Sequence, residues 1–384
     1  MVQERPLRVL FYVQHLLGIG HLMRARRIVL TLRDHDFDVA LVTGGMPLPG
    51  FEVKGIEHIE LPPMAVSGSD FRTLVDAAHK PIDDIFRQKR CNRLLDTYRA
   101  FKPDIVLLEA FPFGRRQVRF ELLPLIHAIE NTAPRPVLLA SIRDILQMRV
   151  KPGRDAETAR LVNNHFDRVL VHGDPAFADL QSSFSHADQI ADHILYTGLV
   201  CGPEPGVTDT SFNVVVSAGG GAVGAQLVKA SIEASHRLPD LGSWCVITGP
   251  NLPEQDILQI VDSAPANVTV ERFRSDFTAL LAGAQLSVSQ AGYNTVSDIL
   301  QAGCRSVLVP FSAGGETEQD ARAQRLKALG LATVLKDEDL SAEQLASAIQ
   351  AALLQKRAVS AIDINTDGAQ NTAKLLRDLA GQKR

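Results

Sequence analysis

The sequence predicts an α/β protein made of two doubly wound domains, each with a parallel sheet covered by helices. Two segments about 205 residues apart begin alike, with an apolar strand, a glycine-rich loop and a helix in which apolar residues recur every three or four positions. The first of these strands covers 7–13 and the second covers 212–216. The strands that follow are short and almost continuously apolar, which indicates parallel sheets buried on both faces.

Length and composition support this fold class and exclude several functions. A chain of 384 residues, 45% hydrophobic and 22% charged, is long enough for two globular domains with their own cores. A formal net charge of −4 and an aromatic content of 5% argue against nucleic acid as the partner. The first 150 residues hold 21 basic and 17 acidic side chains, a surplus that fits either an anionic acceptor or a membrane surface.

The predicted elements divide the chain into two domains and a tail. The first domain is expected over 1–205, with strands at 7–13, 38–42, 105–108, 137–140, 168–171 and 194–196. The second is expected over 206–360, with strands at 212–216, 245–248, 268–270, 286–289, 306–309 and 332–335. A Pro/Gly/Thr-rich stretch at 201–211 reads as the linker. The tail, 361–384, is expected to form a helix that packs back on the first domain.

Cysteine usage and hydropathy indicate where the protein works. Four scattered cysteines without a CxxC pair disfavour structural zinc and fit a reducing cytoplasm. No apolar run reaches the roughly 18 residues of a membrane-spanning helix, and the run at 7–13 is too short for a signal peptide. We therefore expect a cytoplasmic protein, at most peripheral at the inner face of the membrane.

The first candidate site is the turn after the first strand. Gly18 and Gly20 allow a tight turn, and the helix that follows offers free N–H groups to an anion. His21 stands at the start of this helix, where the dipole disfavours its charged form, so it suits a general base. An ordinary turn with a surface histidine is the alternative. NAD binding is disfavoured because Met23 occupies the position of the third glycine.

The second candidate site is the glycine loop of the second domain. Its sequence, SAGGGAVG at 217–224, contains Gly219, Gly220 and Gly221 in a row. Backbone amides in such a loop can bind a diphosphate. The GxxxxGK[ST] pattern of a nucleoside-triphosphate loop is missing, and a flexible turn is the alternative.

Metal chemistry has weak support in the sequence. Asp34 and Asp36 have the spacing of a DxD metal site, but they precede the strand at 38–42 and so lie at the amino end of the sheet, where a solvated turn is expected. Patterns for zinc proteolysis, serine hydrolysis and zinc deamination are missing. We expect no metal and no cofactor.

The densest polar cluster follows two neighbouring strands of the second domain. The loop and helix at 289–298 end in the carboxylate of Asp298, and the next strand leads to Glu318 and Gln319. Paired acceptors of this kind bind hydroxyl-rich ligands, for which a sugar is the obvious candidate. Helix caps and solvated loops are the alternative.

This cluster resembles the donor-binding signature of GT-B glycosyltransferases, in particular family 28 and the UDP-glycosyltransferases. The resemblance implies the GT-B fold, in which two Rossmann-like domains face each other across a cleft. It implies that Asp298 holds the ribose hydroxyls and that Glu318 and Gln319 hold the donor sugar. It implies further donor-side residues: Gly219, Gly220 and Gly221 beside the diphosphate, Phe273 and Arg274 at the nucleobase, and Gln290, Gly292, Asn294 and Thr295 in the signature itself.

The amino-terminal domain carries the rest of the resemblance. His21 falls on the histidine of the family's Gly-Gly-His turn, and the segments 108–116 and 141–144 resemble a less characterised bacterial subgroup of predicted glycosyltransferases. Acceptor-side or phosphate-binding candidates are Gly20, Arg24, Glu109 and Arg116. An Arg–Glu pair that fixes a loop is the alternative for the last two.

The implied reaction is metal-independent, inverting transfer of a sugar from a nucleoside-diphosphate donor, with UDP expected and His21 as the base. The acceptor stays open among lipid-linked compounds, polysaccharides and small molecules. Three alternatives remain: a nucleotide-sugar hydrolase in which His21 activates water, an epimerase, and a non-catalytic nucleotide-sugar-binding protein.

Overall fold

The computed structural model of the chain contains two compact units. It describes residues 5–16, 18–67, 73–149, 151–219, 224–249, 252–354 and 363–382. Unit 1 comprises Met1–Pro175, Asp179–Val200 and Asp367–Arg384, and unit 2 comprises Ala176–Ala178 and Cys201–Thr366. The first unit thus ends at Val200 rather than at the predicted 205, and the chain returns to it at Asp367 rather than at 361.

Unit 1 is built on a seven-stranded sheet in the order β3-β2-β1-β6-β7-β8-β9, in which every neighbouring pair is parallel. Its strands are β1 (Arg8–Val13), β2 (Asp38–Thr43), β3 (Glu57–Glu60), β6 (Ile105–Glu109), β7 (Val137–Arg143), β8 (Arg168–His172) and β9 (Ile194–Tyr196). A separate antiparallel pair consists of β4 (Met64–Val66) and β5 (Leu74–Asp76). The helices are α1 (Gly20–Asp34), α2 (Asp84–Phe101), α3 (Arg119–Glu130) and α4 (Arg154–His165).

Unit 2 repeats the plan with a six-stranded parallel sheet in the order β12-β11-β10-β13-β14-β15. Its strands are β10 (Val214–Ser217), β11 (Trp244–Ile247), β12 (Val268–Glu271), β13 (Leu286–Ser289), β14 (Ser306–Leu308) and β15 (Thr333–Val334). Its helices are α5 (Ala225–Arg237), α6 (Glu254–Ser263), α7 (Phe277–Gly283), α8 (Tyr293–Ala302), α9 (Glu318–Ala328) and α10 (Ala342–Leu354).

The twelve strands predicted from apolar runs are all present. Nine of them are buried along most of their length, as expected for parallel strands covered by helices, whereas β9, β12 and β15 are only partly buried. The sequence did not reveal β3, β4 and β5. β3 has the sequence EHIE and is largely exposed at the sheet edge, so it lacks the apolar pattern that identifies the inner strands. The two-stranded pair is built from strands of only three residues each.

The strand order reverses once in each sheet. In unit 1 the reversal falls between β1 and β6, and in unit 2 it falls between β10 and β13. Ligands of doubly wound sheets bind beyond the carboxyl ends of the strands at such a reversal, because the connections leave in opposite directions and open a crevice. The residues that follow these four strands are therefore the ones that a ligand would contact.

A buried arginine fixes the loops at this edge of unit 1. Arg90 of α2 donates from Nε and Nη2 to the carboxylate of Glu121, at 2.9 and 2.7 Å. It also donates to Gln14 Oε1 at 2.8 Å, to the carbonyl of Gly44 at 2.9 Å and to the carbonyl of Pro62. All five guanidinium donors are used, so the buried charge is both paired and hydrogen-bonded. The loops after β1 and β2 are thereby anchored to α2 and α3.

The C-terminal helix, α11 (Gly368–Gly381), packs against α1 of unit 1. Gly368 makes the approach possible, because a Cβ there would lie 2.4 Å from the carbonyl oxygen of Gly198. The amide of Gly368 donates to the carbonyl of Leu199 at 3.0 Å, and Asn371 Nδ2 donates to the carbonyl of Thr197 at 2.9 Å. The tail is thus joined to unit 1 by main-chain contacts as well as by side-chain packing.

Candidate active site

The reversal in unit 1 brings His21 against Glu109. His21 is the second residue of α1, and its side chain is 12% exposed. Glu109 is the last residue of β6 and is fully buried. The His21 Nδ1 atom lies 2.8 Å from Glu109 Oε1. The structure therefore gives Glu109 a role that the sequence did not predict: it is the partner of the histidine.

The groups around the Glu109 carboxylate donate hydrogen bonds to it, and these bonds stabilise its ionised form. Arg24 donates to Oε1, and Ser141 Oγ donates to Oε2 at 2.7 Å. Burial alone would raise the pKa of Glu109, but the Arg24 charge and the His21 and Ser141 hydrogen bonds lower it to about 2. An ionised carboxylate can only accept, so His21 carries its proton on Nδ1 and its Nε2 holds a lone pair.

His21 is neutral at physiological pH. Burial lowers its pKa well below 6.5, and the charges of Arg115 and Arg143 lower it further, against the opposing effect of Glu109. The direction agrees with the expectation from the helix dipole, but burial is the largest cause. A neutral imidazole with a free Nε2 is the form that a general base requires.

A chain of buried polar groups extends behind Glu109 across the sheet. Ser141 of β7 lies 2.9 Å from His172 Nε2 of β8, and His172 Nδ1 lies 2.9 Å from Thr197 Oγ1. Because Ser141 donates its only hydroxyl proton to Glu109, it must accept from His172 Nε2, so His172 Nδ1 accepts from Thr197. Burial lowers the pKa of His172 to about 3, which keeps it neutral. Ser141, His172 and Thr197 therefore orient the carboxylate.

The loop after β6 is held in an uncommon backbone conformation beside His21. Ala110 has φ of 63° and Arg115 has φ of 56°, in the left-handed region that non-glycine residues seldom adopt. Arg115 Nε donates to the carbonyl of Gln14 at 2.7 Å. Burial and the Arg143 charge lower the pKa of Arg115 to about 10. This edge of unit 1 is thus rich in positive charge, which suits an anionic ligand.

The other candidate residues of the amino-terminal domain, Gly20, Arg24 and Arg116, have different partners. Gly20 begins α1. Arg24 is buried and pairs with Glu109. Arg116 forms an ion pair at 2.5 Å with Glu157 of α4. The anticipated pairing of an arginine with Glu109 therefore exists, but it involves Arg24 and not Arg116.

The reversal in unit 2 places Gly219 next to Gln290. Gly219, just after β10, has φ of +75°, which favours glycine, and a Cβ there would lie 3.5 Å from Gln290 Oε1. Gln290, just after β13, is largely buried, and its main-chain N–H donates to the carbonyl of Ser217. The other two glycines of the predicted phosphate loop, Gly220 and Gly221, lie outside the described residues.

Helix α8 carries the central part of the predicted signature. Gly292 is its N-cap and supplies no side chain to cap the first turn, which contains Asn294 and Thr295. Asp298, one turn further, is buried, and its Oδ1 accepts a hydrogen bond from the amide of Gly202 at 2.9 Å. The carboxylate is therefore fixed in place by the segment that enters unit 2.

Gln319 and Glu318 begin α9 and have different partners. Gln319 Oε1 accepts from the amides of Ala291 and Phe311, at 3.1 and 3.2 Å, and so joins the loops after β13 and β14. Glu318 is buried and accepts from Arg322 Nη2 at 2.8 Å. Within this structure the Glu318 carboxylate serves a buried ion pair, and its contact with a donor sugar stays a prediction.

Arg322 is a residue of this site that the sequence reasoning missed. Its Nη1 donates to the carbonyl of Ala291 at 3.0 Å, and its guanidinium carbon lies 5.8 Å from the ring centroid of Tyr293. It thereby joins α9 to the start of α8. The Glu–Arg pair at positions i and i+4 of one helix was the available signal.

Phe273 and Arg274, predicted near the nucleobase, follow β12. The Phe273 side chain is 59% exposed. Arg274 makes a bidentate pair with Asp276, both contacts at 2.8 Å, and a further contact to Glu271 at 2.8 Å. These partners raise the pKa of Arg274, so its side chain is committed to holding this loop.

The described part of the chain offers neither a metal-binding cluster nor a membrane-spanning helix. No group of three or more His, Cys, Asp or Glu side chains is placed there to hold a metal ion. None of the helices in the same residues is both long enough and apolar enough to span a membrane.

The second half of the chain is similar in sequence to known glycosyltransferases. Residues 214–378 match the Glycosyltransferase family 28 C-terminal domain. A protein of Brucella anthropi named UDP-N-acetylglucosamine--N-acetylmuramyl-(pentapeptide) pyrophosphoryl-undecaprenol N-acetylglucosamine transferase is 32% identical over 185 residues, which cover 46% of this chain and 48% of that protein. A Rhizobium meliloti protein of the same name is 32% identical over 174 residues, 44% and 45% of the two chains. The chain thus spans about half the length of these relatives.

Solved structures resemble the fold over nearly the whole chain. The glycotransferase of kitacinnamycin has a TM-score of 0.61 at 14% identity, and the match covers 99% of this chain and 96% of that one. MurG of Acinetobacter baumannii has a TM-score of 0.60 at 18% identity, and the match covers 97% of this chain and 100% of that one. The predicted fold class is confirmed: the chain has the GT-B fold of glycosyltransferases. The predicted resemblance to family 28 is confirmed as well, through the match of residues 214–378 to the C-terminal domain of that family.

Proposed function

We propose that this protein is a glycosyltransferase that moves a sugar from a nucleoside-diphosphate donor to a hydroxyl acceptor, with inversion and without a metal ion or cofactor. The observation that carries the proposal is the 2.8 Å contact between His21 Nδ1 and Glu109, which leaves Nε2 of a neutral imidazole free to accept a proton. A non-catalytic binding protein has no need of a buried carboxylate that orients a histidine in this way.

The proposed chemical step uses His21 Nε2 as the base. The acceptor oxygen forms a bond to the anomeric carbon while its proton passes to Nε2. The bond between that carbon and the diphosphate oxygen breaks, and the nucleoside diphosphate leaves with the electron pair. The imidazolium that forms is stabilised by the ionised Glu109, which Arg24 and Ser141 hold in place.

For the donor side we propose UDP-sugar binding by unit 2. The names of the relatives specify UDP-N-acetylglucosamine, which supports UDP here. The proposed contacts are the glycine bend that begins at Gly219 for the diphosphate, Asp298 for the ribose and Gln319 for the sugar. The two hydrogen bonds that Gln319 Oε1 accepts orient the side-chain amide, so that its Nε2 hydrogens can reach a ligand hydroxyl.

For the acceptor side we propose a lipid-linked hydroxyl compound, as the relatives' names indicate for those proteins. The positive charge of Arg115 and Arg143 around His21 supports an acceptor that carries negative charge. The reaction would then take place in the cytoplasm, at the inner face of the membrane.

A thermal-shift series tests donor choice. A ligand that binds only the folded state at about 100 times its Kd stabilises a protein by about 2.7 kcal/mol. We expect UDP and UDP-sugars to raise Tm more than GDP-, dTDP- or ADP-sugars at equal concentration. If none of these nucleotides raises Tm, the donor assignment is wrong.

Turnover assays then separate transfer from hydrolysis. The preferred UDP-sugar is incubated with a panel of acceptors in the presence of EDTA, and without any acceptor. Sugar on the acceptor at a rate far above that of free sugar release supports the transferase. Rapid stoichiometric release of free sugar without acceptor would identify a hydrolase in which His21 activates water.

Asp298→Asn tests the ribose contact while it preserves the fold. Asparagine keeps an oxygen for the Gly202 amide but removes the charge. A hydrogen bond to a charged group is worth about 1 kcal/mol more than a neutral one, so the donor KM should rise about fivefold to tenfold with kcat little changed. The exposed Asp320→Asn is the matched control. An unchanged donor KM in folded Asp298→Asn protein would remove Asp298 from the donor site.

A further inference from the structure

A cavity in unit 1 is lined mainly by cationic side chains. It has a volume of about 380 Å³ and lies between the loop after β6 and the start of α4. Its lining residues are Arg116, Lys151, Pro152, Gly153, Arg154, Glu157 and Arg160. Four cations thus face one carboxylate, in a protein whose formal net charge is −4.

The single carboxylate does not neutralise this cavity. Glu157 accepts from Arg116 at 2.5 Å and from Arg119, and these two arginines lower its pKa to about 2. Its charge is therefore taken up by partners on the β6 loop and α3. In the part of the chain that the structure describes, no carboxylate pairs with Lys151, Arg154 or Arg160.

A buried guanidinium, that of Arg149, contacts the start of α4 and lies in the same excess of positive charge. Arg149 has a side chain only 14% exposed, and its Nη1 donates to Thr158 Oγ1 at 2.7 Å and to Asp155 at 3.2 Å. Its buried Nη2 makes no hydrogen bond to any described residue. Burial lowers the pKa of Arg149, and the charges of Arg116 and Arg154 lower it further against Asp155. An anion in the cavity would reverse this effect.

The start of α4 adds main-chain donors to the same place. The helix has 12 residues and begins at Arg154. Its N-cap, Gly153, has φ of +77° and offers no side-chain acceptor to the first turn. An uncapped N-terminus directs N–H groups and the positive end of the helix dipole toward an anion.

The cavity and the proposed base belong to one edge of the sheet. Arg115 and Arg116 are consecutive residues after β6, the strand that ends at Glu109. The charge of Arg115 lowers the pKa of His21, whereas Arg116 lines the cavity. The cavity is lined by residues that follow β6 and β7, and His21 follows β1, so both lie beyond the carboxyl ends of parallel strands of one sheet.

We propose that this cavity binds a phosphate or diphosphate group carried by the sugar acceptor, an inference that rests on the proposed function. Guanidinium and ammonium groups together with main-chain amides are the donors that recognise phosphate oxygens. Lipid-linked diphosphates and soluble sugar phosphates share this chemistry, and the experiment distinguishes them.

Binding is measured by calorimetric titration of inorganic pyrophosphate into the full chain saturated with UDP, which occupies the donor site. We expect Arg154→Ala/Arg160→Ala to weaken pyrophosphate binding at least about tenfold, since each removes a charge-assisted contact. The control is Lys89→Ala/Arg93→Ala, which removes two exposed cations of α2 in the same unit and should change affinity less than about twofold. Urea unfolding of both double variants verifies that they are folded.

Competition identifies the source of the phosphate. Displacement of pyrophosphate by farnesyl diphosphate in detergent supports a lipid-linked acceptor, and displacement by glucose 1-phosphate supports a soluble one. Equal pyrophosphate affinity in wild type and the Arg154→Ala/Arg160→Ala variant, or displacement by neither compound, overturns the proposal. Because the assay needs no turnover, its failure leaves the glycosyltransferase assignment untouched, and an inactive protein can still pass it.

Discussion

His21→Ala should lower kcat by at least about 100-fold and leave the donor KM within about twofold. A positioned general base contributes about 10²–10⁴ to the rate, and its removal affects the transition state rather than donor binding. Initial rates at varied UDP-sugar concentration provide both constants. His127→Ala, which removes an exposed histidine of α3, is the matched control and should leave both constants unchanged.

The pH profile gives a second readout for the same residue. Since the pKa of His21 lies well below 6.5, its neutral, active form persists as pH falls through 6.5. The acid limb of kcat/KM should therefore lie below pH 6.5 in the wild type and vanish from the residual activity of His21→Ala. A variant that keeps kcat within tenfold of wild type, or an acid limb that survives the substitution, would show that another group is the base.

Much of the fold could be predicted because burial leaves a strong pattern in parallel strands. All twelve apolar runs proved to be strands, and the two glycine loops follow the strands next to each reversal. The edge strand β3 could not be found this way, since its exposed residues are free to be polar. The irregular loops after β6 and β7, which form the basic cavity, have no periodicity that a sequence argument could use.

The buried polar network of Glu109, Ser141 and His172 was not predicted, because each of these residues stands just past the end of an apolar run. The predicted strands 105–108, 137–140 and 168–171 stop immediately before Glu109, Ser141 and His172, where the apolar run ends. In the structure each strand continues through that polar residue, and all three are fully buried. Adjacent parallel strands that each end on a polar residue therefore indicate a buried polar row at the ligand-binding edge. The positions of the protons on His21, Ser141 and His172 follow from hydrogen-bond distances, which only the structure provides.

Glu109→Gln should destabilise the protein by about 3–5 kcal/mol, because it removes the buried carboxylate charge with which the buried Arg24 pairs. The effect should depend on pH with a definite sign. The folded pKa of Glu109 is about 2, against an ordinary value of 4.5, so its contribution is fully present above pH 4.5 and is lost as pH falls toward 2. Urea unfolding at pH 7 and at pH 3 should show a smaller difference between wild type and variant at the lower pH. Identical urea midpoints at pH 7 would contradict the buried pair.

The double variant Arg24→Met/Glu109→Gln separates the structural role of Glu109 from its catalytic one. Removal of both charges leaves no unpaired ion, so most of the lost stability should return. The rate should not return, because a neutral amide at position 109 stabilises the His21 imidazolium less well than a carboxylate does. kcat should stay at least about tenfold below wild type in the stable double variant, with the donor KM unchanged. Recovery of kcat together with stability would mean that Glu109 only balances Arg24 and that His21 acts without it.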